Sequence, residues 1–419
     1  MKLLRIVASG LPLFKDNVDI SLVAQQKVFE QDHKTLYNAF SNIYLNCSNA
    51  FVGINASGKT STLKLIILTL KLLSNEPINH IETKDILGTS NQAKLKLYFL
   101  TKANEVCLLE TVVGCNNAKP ENIHYSIIEE RLWSKSIKSI KSKSTLFDFS
   151  TLEPTLIRKD EEFLSDDVSI IIANNKKSNE VMEIANLLSY TNMNVLPYAD
   201  EIPLEVIAFL DPTVEKLFFD KDENSSLIHL KFKGKEEIIL NNAVELNKYL
   251  SSGTIKGIIS FSIAKDILKS GGYMVIDEIE NHFNREIISI LMRFFMDSKL
   301  NRNGGTLIFS TYYAELLDEY NRNDSIFLTS NSNGIQVKNL SKLLDRNDIK
   351  KSEQFIQGVL SHTVPKYNNI NKLKKVARNY IEEWFIMGIQ YSAILCEGAA
   401  EEAIIEILLE NQAIIIDEE

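Results

Sequence analysis

Residues 51–66, FVGINASGKTSTLKLI, constrain the fold of this 419-residue chain more than any other stretch. They match the pattern G-x-x-x-x-G-K-[ST], in which a glycine-rich loop joins a buried strand to a helix and encloses phosphate groups. The apolar run Ala50–Val52 precedes the loop. After the loop, apolar residues recur at the spacing of one helix face, at Leu63, Ile66, Ile67 and Leu70. The sequence therefore predicts strand, phosphate loop and helix in succession, although a glycine turn before a core helix would share the pattern.

The residue types of the loop suit ATP with Mg²⁺. Gly53 and Gly58 allow successive backbone N–H groups to turn towards the phosphates, aided by the positive end of the helix. Lys59 would place its charge between the β- and γ-phosphates, and the Thr60 hydroxyl would be a Mg²⁺ ligand. The predicted nucleotide-binding residues are Gly53, Asn55, Ala56, Ser57, Gly58, Lys59, Thr60 and Ser61.

A second segment, GGYMVIDEIENHF at residues 271–283, supplies the acids that such a loop needs. Tyr273–Ile276 is a continuous apolar run, which is typical of a strand buried on both faces. Asp277 then lies at the carboxyl end of this strand, where parallel sheets present ligand-binding groups. We assign Asp277 to the Mg²⁺ shell and Glu278 to the deprotonation of the attacking water. A strand that ends in a solvated acidic turn is the alternative interpretation.

Upstream of the acidic strand, LSSG at Leu250–Gly253 precedes an apolar helix that would end at Gly271. This resembles the L-S-x-G signature of ABC-type ATPases. The resemblance implies that Ser251, Ser252 and Gly253 contact an ATP molecule held by the loop of a second subunit, in a head-to-tail homodimer. Ser252 and Gly253 would cap the helix, so that its positive N-terminus faces the γ-phosphate. A capped core helix is the alternative.

The apolar run Leu307–Phe309 is followed by Ser310, Thr311 and Tyr312. ABC-type ATPases usually read S-T-H there, with the histidine on the γ-phosphate, so the resemblance makes Tyr312 a catalytic candidate. A phenol donates one hydrogen bond but is not cationic near neutral pH. We therefore expect the replacement of this histidine by Tyr312 to affect the hydrolysis rate more than ATP binding. Gln92 is the candidate for the glutamine loop of such enzymes.

The resemblance extends to one branch of these ATPases. Residues 1–60 read as two strand-like stretches that run into the phosphate loop, and DEIENHFNREI follows the acidic strand. This is similar to the OLD-like ABC ATPases of bacterial anti-phage systems such as OLD, Gabija and PARIS, over residues 1–80 and 245–340. Their usual leucine-histidine pair is replaced by Phe283 and Asn284. The implied fold class is α/β, an ABC-type P-loop ATPase with a mixed sheet flanked by helices.

The motifs divide the chain into five parts. An inserted, mostly helical subdomain would separate two ATPase halves, and its Glu180–Leu187 stretch is predicted as a short helix. A helical linker and a short α/β piece would follow. The predicted divisions are 1–114 for the first half, 115–240 for the insertion, 241–340 for the second half, 341–390 for the linker and 391–419 for the last piece.

Two clusters of basic residues could contact nucleic acid. One lies in RLWSKSIKSIKSKS within the insertion, and the other lies in the predicted linker. Lysine side chains release counterions from phosphates, but a solvated protein face would look the same in sequence. The residues are Lys135, Lys138, Lys141 and Lys143 in the first cluster and Lys372, Lys374, Lys375 and Arg378 in the second.

The last stretch, YSAILCEGAAEEAIIEILLENQAIIIDEE, resembles the opening of a Toprim nuclease domain. Ala393–Cys396 would be a strand, Glu397 and Gly398 a turn, and Ala400–Glu410 a helix before a second strand. The resemblance makes Glu397 a metal-binding position. A single glutamate cannot hold two Mg²⁺ ions, so we expect no nuclease activity from this chain alone. An unrelated βαβ piece is the alternative.

Composition narrows the class of protein. The formal charge of −9 argues against a protein coated in positive charge for nucleic acid, although one face could still be basic. Four scattered cysteines exclude the usual zinc spacings and favour a reducing compartment. The N-terminal apolar run is broken early and no stretch is apolar enough to span a bilayer. We therefore expect a cytoplasmic protein without a membrane partner.

Three functions fit these features. The leading hypothesis is an ATPase that binds and hydrolyses ATP with Mg²⁺ as a homodimer, or a higher oligomer, and gates a sensor or effector in anti-phage defence. The second is an ATP-bound scaffold with little turnover that holds a separate effector such as a nuclease. The third is an SMC-like DNA-repair ATPase, which the absence of heptad-repeat arms disfavours.

Overall fold

The computed structural model describes residues 1–89, 92–116, 123–160, 164–189, 202–222, 225–281, 283–358 and 371–378. The chain divides into two units, Met1–Val364 and Pro365–Glu419. The described part of the second unit is an exposed helix at 371–378, which carries the second basic cluster. The numbered strands and helices all belong to the first unit.

Seventeen strands occur among the described residues. They are β1 Lys2–Ser9, β2 Val18–Ser21, β3 Leu36–Phe40, β4 Ile43–Asn46, β5 Ser48–Val52, β6 Ala93–Leu100, β7 Glu105–Asn116, β8 His124–Ser136, β9 Leu156–Ile157, β10 Ile184–Leu187, β11 Val214–Asp222, β12 Ser225–Phe232, β13 Glu237–Leu240, β14 Tyr273–Ile276, β15 Thr306–Thr311, β16 Ile326–Asn331 and β17 Ile335–Asn339. The α-helices of this unit are α1 Lys59–Leu73, α2 Lys143–Leu146, α3 Ile171–Ser178, α4 Leu204–Leu210, α5 Ser252–Ser270, α6 Arg285–Met296 and α7 Lys351–Ile356.

The central sheet has the strand order β10-β14-β15-β5-β16-β17. The first five strands of that order run parallel and β17 is antiparallel. Every residue of β5, β14 and β15 is buried, as expected for parallel strands covered on both faces. The strands predicted before the phosphate loop and before Asp277 are confirmed, and so is the α/β class with a mixed sheet.

Helices cover both faces of the central sheet. Alternate residues of a strand point to opposite faces, so Phe51 belongs to one core cluster while Ala50 and Val52 belong to another. The first cluster joins the central sheet to α1, which carries Leu63, and to a second sheet. The second cluster joins the opposite face to α5 and α6. The helix predicted after the loop is confirmed as α1.

The second sheet is antiparallel, with the order β2-β1-β6-β7-β8-β9. Smaller sheets are formed by β11-β12-β13 and by β3-β4. Residues 1–60 therefore contain five strands, where the sequence suggested two. The predicted boundary at residue 114 lies inside β7, because β7 and β8 pair over most of their length.

The predicted mostly helical insertion at 115–240 is wrong for its described residues. They contain all of β8–β13, whereas their three α-helices are short. The alternation in β8, where buried Tyr125, Ile127 and Leu132 lie among exposed residues, is a strand pattern. The basic run at the end of β8 obscures this period of two in the sequence.

The predicted helix Glu180–Leu187 is also wrong. Ile184–Leu187 forms β10, which pairs in parallel with β14, from Ile184 opposite Tyr273 to Leu187 opposite Ile276. A four-residue stretch such as IANL is too short to show a decisive period of its own, so its conformation is determined by the open edge of β14.

The C-terminal piece at 391–419, including Glu397, lies outside the described residues. Within the predicted linker, the structure describes α7 and the helix at 371–378. No helix in the described part of the chain has both the length and the apolar character needed to cross a membrane.

A buried ion cluster ties the N-terminal segment to the central sheet. The Arg322 guanidinium donates to Asp32 at 2.9 Å and to Asp324 at 2.6 Å, and all three side chains are at most 8% exposed. The same guanidinium donates to the carbonyls of Gln26 and Lys27 at 3.1 Å. A buried arginine that binds two carboxylates and two carbonyls has its charge and its hydrogen bonds satisfied.

We expect Arg322→Met to lower the free energy of unfolding by about 3–5 kcal/mol, because two carboxylates stay buried without a cation. Urea denaturation followed by circular dichroism measures the change. Arg346→Met is the matched control, since Arg346 pairs with Asp348 at the same two-residue spacing but on the surface. That variant should keep the parent stability, and equal losses in both variants would contradict the assignment.

Candidate phosphate-binding site

The phosphate loop, residues 53–58, joins the end of β5 to the start of α1. Gly58 is the N-cap of α1 and has a φ of 97°, a conformation that favours glycine. A Cβ at Gly58 would lie 2.6 Å from Ile335 carbons, and one at Gly53 would lie 2.5 Å from Thr329 Oγ1. There is therefore no room for a side chain at either glycine. The first turn of α1 presents N–H groups without intrahelical partners, which makes this end an anion site.

A cavity of about 320 Å³ lies on the loop. Its lining includes the predicted residues Asn55–Ser61 and Glu278, together with Leu13, Asn331 and Ile335. Asn331 Nδ2 donates to a carbonyl of the loop at 3.3 Å, and the Ile335 N–H donates to the Leu13 carbonyl at 2.8 Å. The turn between β16 and β17 thus supports the loop from one side.

Lys59 is the buried cation of the site. Its side chain bends back over the loop and donates to the Gly53 carbonyl at 2.8 Å and to the Ile54 carbonyl at 3.2 Å. Burial lowers the pKa of Lys59, and the charges of Glu280, Asp277 and Glu278 oppose that shift, with Glu280 contributing most. The ammonium group is therefore held by backbone oxygens in an acidic surrounding.

Thr60, Asp277 and Ser310 form one hydrogen-bonded group, although 217 positions separate the first two. Thr60 Oγ1 donates to Asp277 Oδ2 at 2.6 Å. The buried Ser310 hydroxyl donates to Asp277 Oδ1 and accepts the Glu278 N–H at 2.8 Å. The two predicted Mg²⁺ ligands, Thr60 and Asp277, are therefore in contact. Ser310 holds the Asp277 carboxylate from its other oxygen.

This oxygen pair fits Mg²⁺ bound with a nucleotide. Among the described residues no group of three or more His, Cys, Asp or Glu could hold a metal ion by itself. Mg²⁺ is commonly held by one or two protein oxygens, with phosphates and waters completing an octahedron. Thr60 and Asp277 supply such a partial set beside the phosphate loop, so they would hold the ion only together with its phosphates.

Glu278 faces the cavity from a strained backbone. Its φ is 47°, in the left-handed region that a residue with a side chain rarely adopts. The side chain is exposed, and its Oε2 accepts from Asn281 Nδ2 at 2.8 Å. The turn at Glu278 directs the chain back over β15, so that the Ile279 N–H donates to the Ser310 carbonyl at 3.1 Å. The carboxylate can thus reach water in the cavity.

Tyr312 lies just beyond β15 with 45% of its surface exposed. Its N–H donates to Glu280 Oε1 at 2.9 Å, and its ring stands edge-on to Tyr313. Partial burial and the charges of Glu280 and other neighbours raise the pKa of the phenol, so Tyr312 is a neutral hydrogen-bond donor. The residue does not line the cavity on the loop.

The signature segment begins α5, but its cap differs from the prediction. Ser251, not Ser252, is the N-cap: its Oγ accepts from the Thr254 N–H at 3.0 Å. Ser252 and Gly253 are the first two helical residues. Ser251, Ser252 and Gly253 do not line the cavity on the loop of the same chain.

Several residues at this site were missed in the sequence. Ser310 could have been found from its place at the carboxyl end of β15, and Glu280 from its place in the acidic segment that follows β14. Leu13 and Ile335 are apolar residues outside any motif, so nothing in the sequence indicates that they line the cavity. Gln92, the glutamine-loop candidate, lies before β6 with its backbone oxygen against Gly10 and does not line the cavity.

Two of the four lysines in the first basic cluster make internal contacts. Lys135 donates to the carbonyls of Thr145 and Asp148, and its Nζ lies 4.1 Å from the centre of the Phe149 ring. Lys143 donates to the carbonyls of two residues in the N-terminal segment. These contacts favour a structural role for both lysines over a nucleic-acid edge.

We expect Ser310→Ala to weaken Mg²⁺-dependent ATP binding roughly tenfold, because Asp277 loses the hydroxyl that orients it. Calorimetric titration with Mg²⁺ and with EDTA separates this effect from binding of the phosphates alone. Ser289→Ala is the matched control, since Ser289 is equally buried and its hydroxyl has no hydrogen-bond partner in the described structure. If Ser310→Ala weakened ATP binding equally in EDTA, Ser310 would support the phosphate loop and would not orient the metal ligand Asp277.

Comparison with protein-family models and with curated proteins gave no match for this chain. The geometry of the loop, of the two acids and of Ser310 is therefore what the functional assignment has to rest on.

Proposed function

We propose that this chain is an ABC-type ATPase that binds and hydrolyses ATP with Mg²⁺ in a head-to-tail homodimer. The observation that carries the proposal is the 2.6 Å hydrogen bond between Thr60, in the first turn of α1 directly after the phosphate loop, and Asp277 at the end of the acidic strand β14. A chance glycine turn would have no reason to meet a carboxylate at the end of a parallel strand.

The site residues have separate roles in this proposal. Lys59 and the N–H groups of α1 bind the β- and γ-phosphates, and Thr60 and Asp277 hold Mg²⁺. When bound, Mg²⁺ supplies neutralisation of charge on the phosphate oxygens. Glu278 accepts a proton from the water that attacks the γ-phosphorus, while the bond to the bridging oxygen breaks and ADP leaves. Tyr312 donates a hydrogen bond without bringing a positive charge.

The position of the signature supports the proposed homodimer. Ser251, Ser252 and Gly253 stand at the positive end of a 19-residue helix and do not line the cavity of their own chain. In the proposed dimer they approach the γ-phosphate bound by the second copy, so ATP closes the interface and its hydrolysis reopens it.

Tyr312 supports a second candidate, an ATP-bound scaffold with little turnover. The exposed neutral phenol occupies the motif position at which the resemblance implies a histidine on the phosphate, so less charge would stabilise the transition state. A steady-state rate well below about one turnover per minute, together with nucleotide-dependent assembly, would favour the scaffold.

The wider role rests on the resemblance to OLD-like ATPases. We propose that ATP state controls a separate effector, such as a nuclease, in cytoplasmic anti-phage defence. The exposed basic helix at 371–378 remains a candidate for a nucleic-acid contact, as do Lys138 and Lys141 of the first cluster. Identification of the protein encoded next to this chain tests the effector proposal, and a gene unrelated to nucleic-acid attack would contradict it.

We expect Lys59→Ala to weaken ATP binding roughly 10- to 100-fold, because a charge-assisted contact with the phosphates is lost. Titration calorimetry measures the dissociation constant. Lys64→Ala is the matched control, since Lys64 lies on the same helix and pairs with Asp85 outside the cavity. Equal affinity of the two variants would exclude the loop as the phosphate site.

We expect Glu278→Gln to lower hydrolysis by at least about 100-fold while ATP still binds, because the proton acceptor is lost. The variant should accumulate as an ATP-bound dimer, which light scattering after size exclusion detects. Glu286→Gln, an exposed change at the start of α6, should behave as the parent. Hydrolysis at the parent rate by Glu278→Gln would overturn the base assignment, and a monomer at saturating Mg·ATP would overturn the dimer.

A further inference from the structure

A second cavity, of about 490 Å³, lies between α4, α5, α6 and the loop that follows α6. We call it the apolar cavity, and it shares no lining residue with the cavity on the phosphate loop. Its volume falls within the range of small-molecule sites, about 300–1,000 Å³. The apolar residues of its lining are Pro203, Val206, Phe261, Leu268, Phe294 and Leu300.

The walls of the apolar cavity are held in place by packing between the three helices. α4 lies so close to α5 that a Cβ at Gly257 would be 2.5 Å from a methyl carbon of Leu210. The Phe261 ring of α5 stands edge-on to Phe209 of α4 and to Phe294 of α6, with ring centres 5.9 and 5.6 Å apart. The cavity is therefore formed by the fold itself, as binding sites for small molecules usually are.

The loop after α6 closes one side of the apolar cavity. Asn303 Nδ2 donates to the Lys269 carbonyl at 2.8 Å, which ties this loop to the last turn of α5. Arg302 Nε donates to the Lys299 carbonyl at 3.1 Å, so one nitrogen fixes the guanidinium. Its two terminal nitrogens have no hydrogen-bond partner among the described residues. They are therefore available to a ligand.

The charged residues in the described lining of the apolar cavity are all basic: Lys265, Lys269 and Arg302. None of the three forms an ion pair with a described residue. Lys265 and Lys269 are one turn apart on α5, where side chains are neighbours at roughly 5–6 Å between Cβ atoms and like charges repel. The negative end of the helix dipole favours a lysine in the last turn, but it does not account for Arg302 on the neighbouring loop.

We propose that the apolar cavity binds an organic carboxylate with an apolar body. The body packs against Phe261, Leu268 and Phe294, and the carboxylate accepts hydrogen bonds from the terminal nitrogens of Arg302. The planar pair of N–H donors matches the two oxygens of a carboxylate, and the two lysines of α5 add positive charge beside it. The site uses no residue of the proposed ATPase reaction, so the inference does not depend on that function.

Decanoate is the probe, and equilibrium dialysis of the whole chain without nucleotide measures its binding. We expect one decanoate per chain, with a dissociation constant below roughly 1 mM. Decyltrimethylammonium has an alkyl chain of the same length and the opposite charge, and it should bind at least about tenfold more weakly. Equal binding of the two amphiphiles would overturn the proposal, because the three cations would then have no part in recognition.

Arg302→Gln should weaken decanoate binding roughly 5- to 10-fold, because a charge-assisted pair of hydrogen bonds is lost. Lys299→Gln is the matched control. Lys299 belongs to the same loop, is exposed as Arg302 is, loses the same charge and lines a separate cavity. The control should keep the dissociation constant of the parent. Equal weakening in both variants would show that binding follows total charge, and the site would be wrong.

Ser262→Phe tests the apolar part of the site. Ser262 is a partly buried lining residue on α5, so a phenylalanine there fills the cavity. We expect this variant to lose decanoate binding while its circular dichroism spectrum stays that of the parent. Parent-like binding by the folded variant would overturn the proposal, and if the variant does not fold, the exposed change at Arg302 decides. A parent protein that does not bind decanoate overturns this inference and leaves the proposed ATP site untouched.

Discussion

The parallel pairing of β5, β15 and β14 is the constraint on which the rest of the site depends. Val52 lies opposite Thr311, and Ile276 lies opposite Phe309, so three strands end at one edge of the sheet. Each strand is entirely buried, and its register is therefore fixed by the helices packed on both faces. This register brings the loop, the two acids and Ser310 within hydrogen-bonding reach.

Charge at this edge is unevenly balanced. One buried lysine faces three acids, and its ammonium group is bound to carbonyls, not to a carboxylate. The turn at Glu278 adds a strained backbone next to the same edge. Strain and surplus charge are tolerated because the surrounding strands and helices are well packed, and they are the features expected where a charged ligand completes the site.

The wrong sequence predictions share a cause. Ile184–Leu187 was predicted as helix, yet the free edge of β14 makes it a strand. The insertion was predicted as mostly helical, yet β8 extends the antiparallel sheet through its pairing with β7. In both cases a short or mixed segment takes its conformation from a neighbouring strand. Ser251 replaces Ser252 as N-cap for a simpler reason, since the boundary of a helix is hard to place within one residue.

Local sequence patterns correctly predict the strand before the loop, the loop, α1, the acidic strand and the helix after the signature, although not the N-cap of that helix. Each depends on residues close in the chain: glycines for the turn, apolar runs for the strands, and a capping serine for the helix. Packing between distant elements determines the hydrogen bond from Ser310 to Asp277, the position of Ile335 against Gly58, and the hydrogen bond from the Tyr312 N–H to Glu280. Those contacts join residues on different elements that are far apart in the chain, and only the packing of the whole sheet specifies which of them meet.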